Sequence, residues 1–443
     1  MVSNRIAGPS HGSAPGGLTS GLVAAMRAHP GIWFGWDGQT VEHRVTDAAT
    51  TVGSDGITYA SISYDAGEYR DFYLGFCNST LWPLVHQFVD DVQHSDSHYE
   101  AYRLMNRRYA RELTPLLEPD DVIWVHDYHF LLLARSLRET GCTQRIGLFL
   151  HTPFPPLAVL RTLPQYRELL AALLEFDVVG FQTQTDHDEF RRTVAHMLGG
   201  RYDSAAVGPT TGVFPIGVDV DAIQRIAGSA MSNPREGSLI LGVDRLDYTK
   251  GLVERVSAFD RFLAAYPDHQ NQVSFLQIAA PTRTQLTAYT DTRCDLERAI
   301  ADTNQRYAHP GWTPIRYLNG VLDHDTLLGV MRSAQVGMVT PLRDGMNLVA
   351  KEYAAAQDPA DPGVLILSKF AGAAEELTSA LLVNPHDSQA MADAIQRALT
   401  MPVGERRERH QAMLEVLRRN SIGAWHARFV ETLAGTDRRI GHG

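Results

Sequence analysis

Residues 238–251 read SLILGVDRLDYTKG. A short apolar run, Leu239 to Val243, passes directly into the polar turn Asp244–Gly251, and a helical pattern follows. An apolar strand that ends in a turn leading to a helix is the repeating unit of a parallel α/β sheet covered on both faces. Downstream the unit recurs: QVSFLQIAAP, TPIRYLNG, VGMVTPLRDG, GVLILS and LLVNP are apolar runs with helical spacing between them. Upstream a second series appears in DVIWVHD (121–127), RIGLFLHTPFPP (145–156), DVVGFQT (177–183) and GVFPIGVD (212–219). After DVVGFQT a helix is expected with Thr185 or Asp186 as its N-cap and Gly199 as its stop.

The expected fold class is α/β, with two facing, doubly wound Rossmann-like domains. At 443 residues the chain is too long for one core. The polar stretch SNPREGS (232–238) reads as the linker, giving domains 1–232 and 233–443. The last helix, about 420–440, is the element placed to cross back to the first domain.

Composition narrows the function. A net charge of -11 argues against nucleic acid as the main partner. Three scattered cysteines form neither a disulfide framework nor a metal set, and no apolar run is long enough to span a bilayer. Neither does the N-terminal stretch have the apolar core of a signal peptide. A cytoplasmic protein is expected.

In sheets of this class ligands bind beyond the carboxyl ends of the strands, so polar residues there carry the chemistry. Arg245 and Lys250 flank one strand-to-helix turn, and their charges beside a helix N-terminus suit a diphosphate. In TPLRDGMNLVAKEY (340–353) Gly345 permits close backbone approach and Asp344 can accept from sugar hydroxyls. Glu352 is spaced for a ribose diol, and Lys351 reads as a surface charge. Capping by Asp344 or Asn347 would explain one of these polar groups. Gly16 and Gly17 open a helix in the first half. In HDYH (126–129) buried, hydrogen-bonded histidines are favoured over a metal pair. His151 follows another strand and points at the same strand-end surface as Asp127. VDVD (218–221) has the look of a metal-binding D-x-D, but it precedes a helix and Asp221 is read as an N-cap.

Taken together these motifs resemble the trehalose-6-phosphate synthase family, retaining glucosyltransferases of the GT-B arrangement. The resemblance runs through VSNRIA, GGL, IWFGW, FCNSTLWP, WVHDYH, LFLHTPFP, GFQT, VFPIGVD, VDRLDYTKG, GWTPIRYLN, TPLRDGMNLVAKEY, SKFAGAAEEL and LLVNPHD. It implies transfer of glucose from UDP-glucose to glucose 6-phosphate, with the active site in the cleft between the domains and no metal or other cofactor. By the same resemblance Arg245 and Lys250 face the leaving diphosphate, with Gly16 and Gly17 against it. Glu352 clamps the ribose, the backbone of Asn347 and Leu348 lies near the phosphates, and Leu322 lies near the uracil. Asp344 and His151 hold hydroxyls of the donor glucose. Arg5, Tyr73 and Arg283 bind the acceptor's phosphate, while Asp127 and Trp82 position its sugar. A homo-oligomer, dimer or tetramer, is compatible with the family.

Two departures from the family's pattern stand out. Several apolar residues usually precede SNR, so either the first strand is short here or the true start lies upstream, and Thr152 stands where isoleucine is usual beside the acceptor, a mild change that bears on anomer or acceptor choice. No phosphatase segment is expected after GAWHARFVETL (423–433). Two alternatives to the active synthase are a silent sugar-phosphate sensor of the same fold and a transferase for another nucleotide-glucose or a cyclitol acceptor.

Overall fold

The computed structural model describes residues 1–6, 22–23, 26, 31–42, 48–53, 56–200, 208–229 and 237–435. Gly16 and Gly17 lie outside them. Two compact units are present. One holds the described residues up to Pro215 together with those from Gly423, and the other spans Ile216–Ile422. The division therefore falls 17 residues before the expected boundary at 232. Its physical reason is the helix Val220–Ser229, which packs on the helices His324–Ser333 and Leu348–Ala356 of the second unit.

The first unit is built on β1 (Val2–Arg5), β2 (Ile32–Val41), β3 (Ala49–Val52), β4 (Thr58–Asp65), β5 (Val122–His126), β6 (Arg145–Phe149), β7 (Val178–Phe181) and β8 (Thr210–Val213). They lie side by side as β3-β4-β2-β1-β5-β6-β7-β8. All pairings are parallel except β3 with β4. The short strand β3 is exposed at all four positions, so it is a solvated edge rather than part of the core. The closing helix Ile422–Gly435 belongs to this unit and sets Trp425 and Phe429 against Trp124 and Phe149.

The second unit contains β9 (Ser238–Arg245), β10 (Val273–Ala280), β11 (Ile315–Leu318), β12 (Val336–Val339), β13 (Val364–Ser368) and β14 (Leu381–Val383). Their order, β11-β10-β9-β12-β13-β14, is wholly parallel. The order reverses direction between β9 and β12, which is the switch point where such sheets bind ligands. In the first unit the equivalent point lies between β1 and β5.

Two caps differ from expectation. Thr183, not Thr185 or Asp186, caps the helix Gln184–Met197, its hydroxyl accepting from the Asp186 N–H at 3.0 Å. Asp219, not Asp221, accepts from the Ala222 N–H at 2.9 Å at the start of Val220–Ser229. In both, the side chain three residues before the bonded N–H is the one within reach.

Candidate active site

At the switch point of the second unit, β9 ends in Arg245, which is exposed, and the chain turns through Asp247 and Lys250. Gly251 has φ +63°, and a Cβ there would lie 2.3 Å from the Thr340 carbonyl oxygen, so only glycine lets this turn meet the end of β12. Across that contact the Lys250 ammonium is 2.5 Å from the Asp344 carboxylate. Asn347 Nδ2 donates to the same carboxylate at 3.0 Å, while Asn347 Oδ1 caps the Ala350 N–H at 3.1 Å. Lys250, Asp344 and Asn347 thus form one chain of contacts from the β9 turn to the helix Leu348–Ala356. Leu348 is that helix's first residue.

Asp247, fully buried, shows where the cations gather. Burial alone would push its carboxyl up, but Arg283, Arg245 and Lys250 outweigh it and hold the carboxyl below its usual range. Arg283 follows β10, with its guanidinium 3.4 Å from Asp247 and donating to the Tyr289 hydroxyl at 2.5 Å. It therefore belongs to the same unit as Arg245, Lys250, Asp344 and Glu352, and Arg5 and Tyr73 to the other.

Behind this cluster lies Arg255, which sequence reading missed. It is wholly buried. Its guanidinium pairs with Asp244 at 2.8 Å and donates to Gln277 at 3.0 Å, Thr340 at 3.0 Å and the Lys250 carbonyl at 3.3 Å. One side chain thereby fixes the ends of β9, β10 and β12 together.

Lys351 corrects a second expectation. It is no surface charge but is 0% exposed. Its ammonium donates to the Ile216 carbonyl at 2.6 Å and pairs with Glu376. Glu376 in turn accepts from Asn420 at 2.6 Å. Ile216 and Asn420 flank the points at which the chain enters and leaves the second unit. Those two segments are in close apposition, since a Cβ on Gly217 would sit 1.8 Å from the Asn420 carbonyl oxygen.

Glu352 is 5% exposed, and its carboxyl has no hydrogen bond among the described residues. Burial raises that carboxyl to about 7. Leu322 is half-buried between β11 and the helix His324–Ser333.

In the first unit Arg5 and Tyr73 come together around Trp36. The Arg5 guanidinium is 5.8 Å from the indole centroid and the Tyr73 ring is 5.5 Å from it. Tyr69 completes the group, 5.5 Å from Tyr73. Tyr73 rides on a π-helix, Glu68–Leu81, in which Asn78 and Ser79 side chains donate to the Tyr73 and Leu74 carbonyls five residues back. Such helices are rare and tend to mark functional sites. Trp82 follows it, buried, with its ring 4.0 Å from His86 and 5.8 Å from Tyr128.

Asp127 stands just beyond β5 with φ +76°, and its carboxylate accepts the His151 backbone N–H at 3.1 Å. Five described non-glycine residues have positive φ, and three of them, Asp127, Arg283 and Asn347, are site candidates. Backbone held in that region concentrates where function over-determines it. The His151 ring lies between two partners, with Nε2 3.0 Å from His126 Nδ1 and Nδ1 3.4 Å from the Gln182 amide. Burial lowers His151 to about 3, so the imidazole is neutral at any working pH. Thr152 is buried, its hydroxyl has no partner among the described residues, and the residue lines an apolar cavity of about 40 Å³. A residue with one more methyl group would fill part of that space.

Comparison with known proteins identifies the family. The family model for glycosyltransferase family 20 matches residues 9–435. A trehalose-6-phosphate synthase of Klebsiella pneumoniae is 45% identical, over 98% of this chain and 94% of its own. A UDP-forming α,α-trehalose-phosphate synthase of Burkholderia xenovorans, solved with glucose 6-phosphate, is 43% identical. It superposes with a TM-score of 0.94 over 98% of this chain and 99% of its own. The E. coli trehalose-6-phosphate protein bound with UDP-2-fluoro glucose is 42% identical, with a TM-score of 0.94 over 99% of each chain. With the family's motifs in order along nearly its whole length, the chain belongs to glycosyltransferase family 20.

Proposed function

We propose that the protein transfers glucose from UDP-glucose to glucose 6-phosphate, giving α,α-trehalose 6-phosphate and UDP. The observation that carries this reading is the convergence of Arg245, Lys250 and Arg283 on Asp247 at the sheet's switch point. The hard step is departure of the nucleotide diphosphate, and fixed cations at the developing charge are typically the largest catalytic contribution. Arg245 and Lys250 face that leaving group. Lys250 is oriented by Asp344, and Asp344 accepts from a hydroxyl of the donor glucose. The N-terminus of Leu348–Ala356 adds backbone N–H groups near the phosphates. Glu352, a buried carboxyl with no hydrogen bond among the described residues, accepts from the ribose diol, and Leu322 contacts the uracil.

The acceptor side uses Arg5 and Tyr73, with Arg283, for the sugar phosphate, and Asp127 and Trp82 for its ring. Thr152 influences which anomer fits. His151 acts as a neutral hydrogen-bonding group towards the donor glucose. Retaining glycosidases that pass through a covalent intermediate hold two carboxylates about 5 Å apart. In the present reading no carboxylate is assigned as nucleophile, and the leaving phosphate itself takes the acceptor's proton on the same face. No metal is used, because cationic side chains do its work. A cytoplasmic setting, free of nucleic acid and membrane, is supported by the acidic net charge and by the absence of any long apolar helix among the described residues. The assembly we expect is a homo-oligomer, a dimer or tetramer.

Nucleotide release tests the reading, with UDP-, GDP- and ADP-glucose as donors and glucose 6-phosphate or free glucose as acceptors. UDP release that requires glucose 6-phosphate and persists in EDTA is expected. No release with any donor would contradict transferase activity, equal rates with free glucose would contradict the phosphate site, and loss in EDTA would contradict metal independence.

Glu352 gives a pH prediction. Its folded pKa is raised from about 4.5 to about 7, so folding favours the protonated form. That contribution is fully present below the unfolded value and is lost as pH rises through about 7. Glu352→Gln should therefore stabilise the ligand-free protein at pH 8 by up to about 3 kcal/mol, yet raise KM for UDP-glucose. Equal melting of variant and wild type at pH 8 and at pH 5 would refute the buried-carboxyl account.

A further inference from the structure

His126 lies in the HDYH segment and was read from sequence as a structural histidine. Its position asks more of it. Its Nδ1 is 3.0 Å from His151 Nε2, and one proton lies between them. Whichever ring carries that proton decides what His151 can offer a sugar, because a neutral imidazole has one donor and one acceptor nitrogen.

The other nitrogen of His126 settles the choice. Nε2 is buried and has no hydrogen-bond partner among the described residues. A proton on Nε2 would leave a buried N–H without an acceptor, whereas a proton on Nδ1 leaves only an unused lone pair. Orphaned buried donors are rarer in folded proteins than under-used acceptors. The rings of Trp124 at 4.5 Å and Trp425 at 6.3 Å pack on His126, and the chain's N-terminus and His426 act on it through charge alone, without a hydrogen bond to Nε2. Burial first, and His151 second, hold the His126 imidazole in its neutral form, so it does not evade the choice by becoming a cation.

We propose that His126 donates its Nδ1–H to His151 Nε2 and so fixes His151 as the tautomer protonated on Nδ1. His126 is then a positioning residue. It makes His151 a hydrogen-bond donor, whose Nδ1–H is offered to a hydroxyl oxygen of the donor glucose. In the structure Gln182 presents its Nε2 to His151 Nδ1 at 3.4 Å, so the proposed tautomer requires this amide to be turned end for end, with its oxygen facing the N–H. The sugar oxygen replaces or shares this long contact. Two further features hold the donor in place: the Asp127 carboxylate anchors the His151 backbone, and the two imidazole planes lie within 24° of parallel. The catalytic part of this inference rests on His151 touching the donor sugar, whereas the tautomer does not.

Long-range ¹H–¹⁵N correlation spectra of the ¹⁵N-histidine-labelled, full-length protein read the tautomer directly. The expected result is a His151 ring protonated on Nδ1. Protonation on Nε2 would overturn the proposal. Kinetics then test its use. His126→Asn keeps an amide N–H near the Nδ1 position, and His126→Leu removes the donor. Replacing an outer partner of this kind typically costs ten- to a hundredfold. His126→Leu is therefore expected to lower kcat/KM for UDP-glucose by about that factor and to release the His151 tautomer, with His126→Asn recovering most of the loss. Equal losses in both variants with an unchanged His151 tautomer would reduce His126 to a packing residue and overturn the proposal. A wild-type Nδ1–H signal with near-normal rates in both variants would overturn the catalytic part through His151, placing the failure in its assignment to the donor sugar. Should His126→Leu not fold, the wild-type spectrum still decides the tautomer.

Discussion

Arg245→Ala is expected to lower kcat at least a hundredfold, with the melting temperature unchanged. Arg245 is exposed at the end of β9, so its removal opens no cavity. Its charge acts on the buried Asp247 together with Arg283 and Lys250. Removal of one preorganised donor at a developing anion costs about 3–4 kcal/mol in comparable sites. Arg245→Lys should fall between, since it keeps the charge but not the planar fork that meets two phosphate oxygens at once. Near-normal turnover in the alanine variant would refute the leaving-group role.

Lys351→Met is the corresponding test of the scaffold. Lys351 is wholly buried and Glu376 nearly so, and removing one partner of such a pair strands the other charge. That typically costs about 3–5 kcal/mol. For a unit of this size a loss on that scale moves the melting temperature by on the order of 10 °C. The double variant Lys351→Met with Glu376→Gln should recover most of it, because no buried charge is then unpaired. Melting within about 2 °C of wild type in the single variant would contradict the buried network.

These two residues also show what the sequence could and could not reveal. The placement of Arg245 and Lys250 at a strand end was legible because the strand-end rule for parallel sheets needs only the local alternation of apolar run, polar turn and helix. Lys351 was not, since a lysine beside a glutamate on a helix has the local pattern of a solvated face. Its burial comes from Ile216, 135 residues away along the chain. Arg255 failed to show for the same reason, its partner Thr340 being 85 residues distant. The division between the compact units differs from 232 because SNPREGS has a linker's composition, whereas the helix before it is bound to the second unit by packing and by the Arg418–Gln224 hydrogen bond. The π-helix that carries Tyr73 left no trace in the apolar spacing. Its cause is visible only in the Asn78 and Ser79 side chains that reach five residues back. His126 was placed correctly as a buried histidine, but its bond to His151 joins two strands and could not be read from either.

The most direct test of the central claim is identification of the product by proton NMR after incubation with UDP-glucose and glucose 6-phosphate. The account predicts one disaccharide phosphate, joined through both anomeric carbons, with each anomeric proton showing the small coupling of an α-linkage. A β-linked product, or UDP release with no disaccharide phosphate formed, would contradict it.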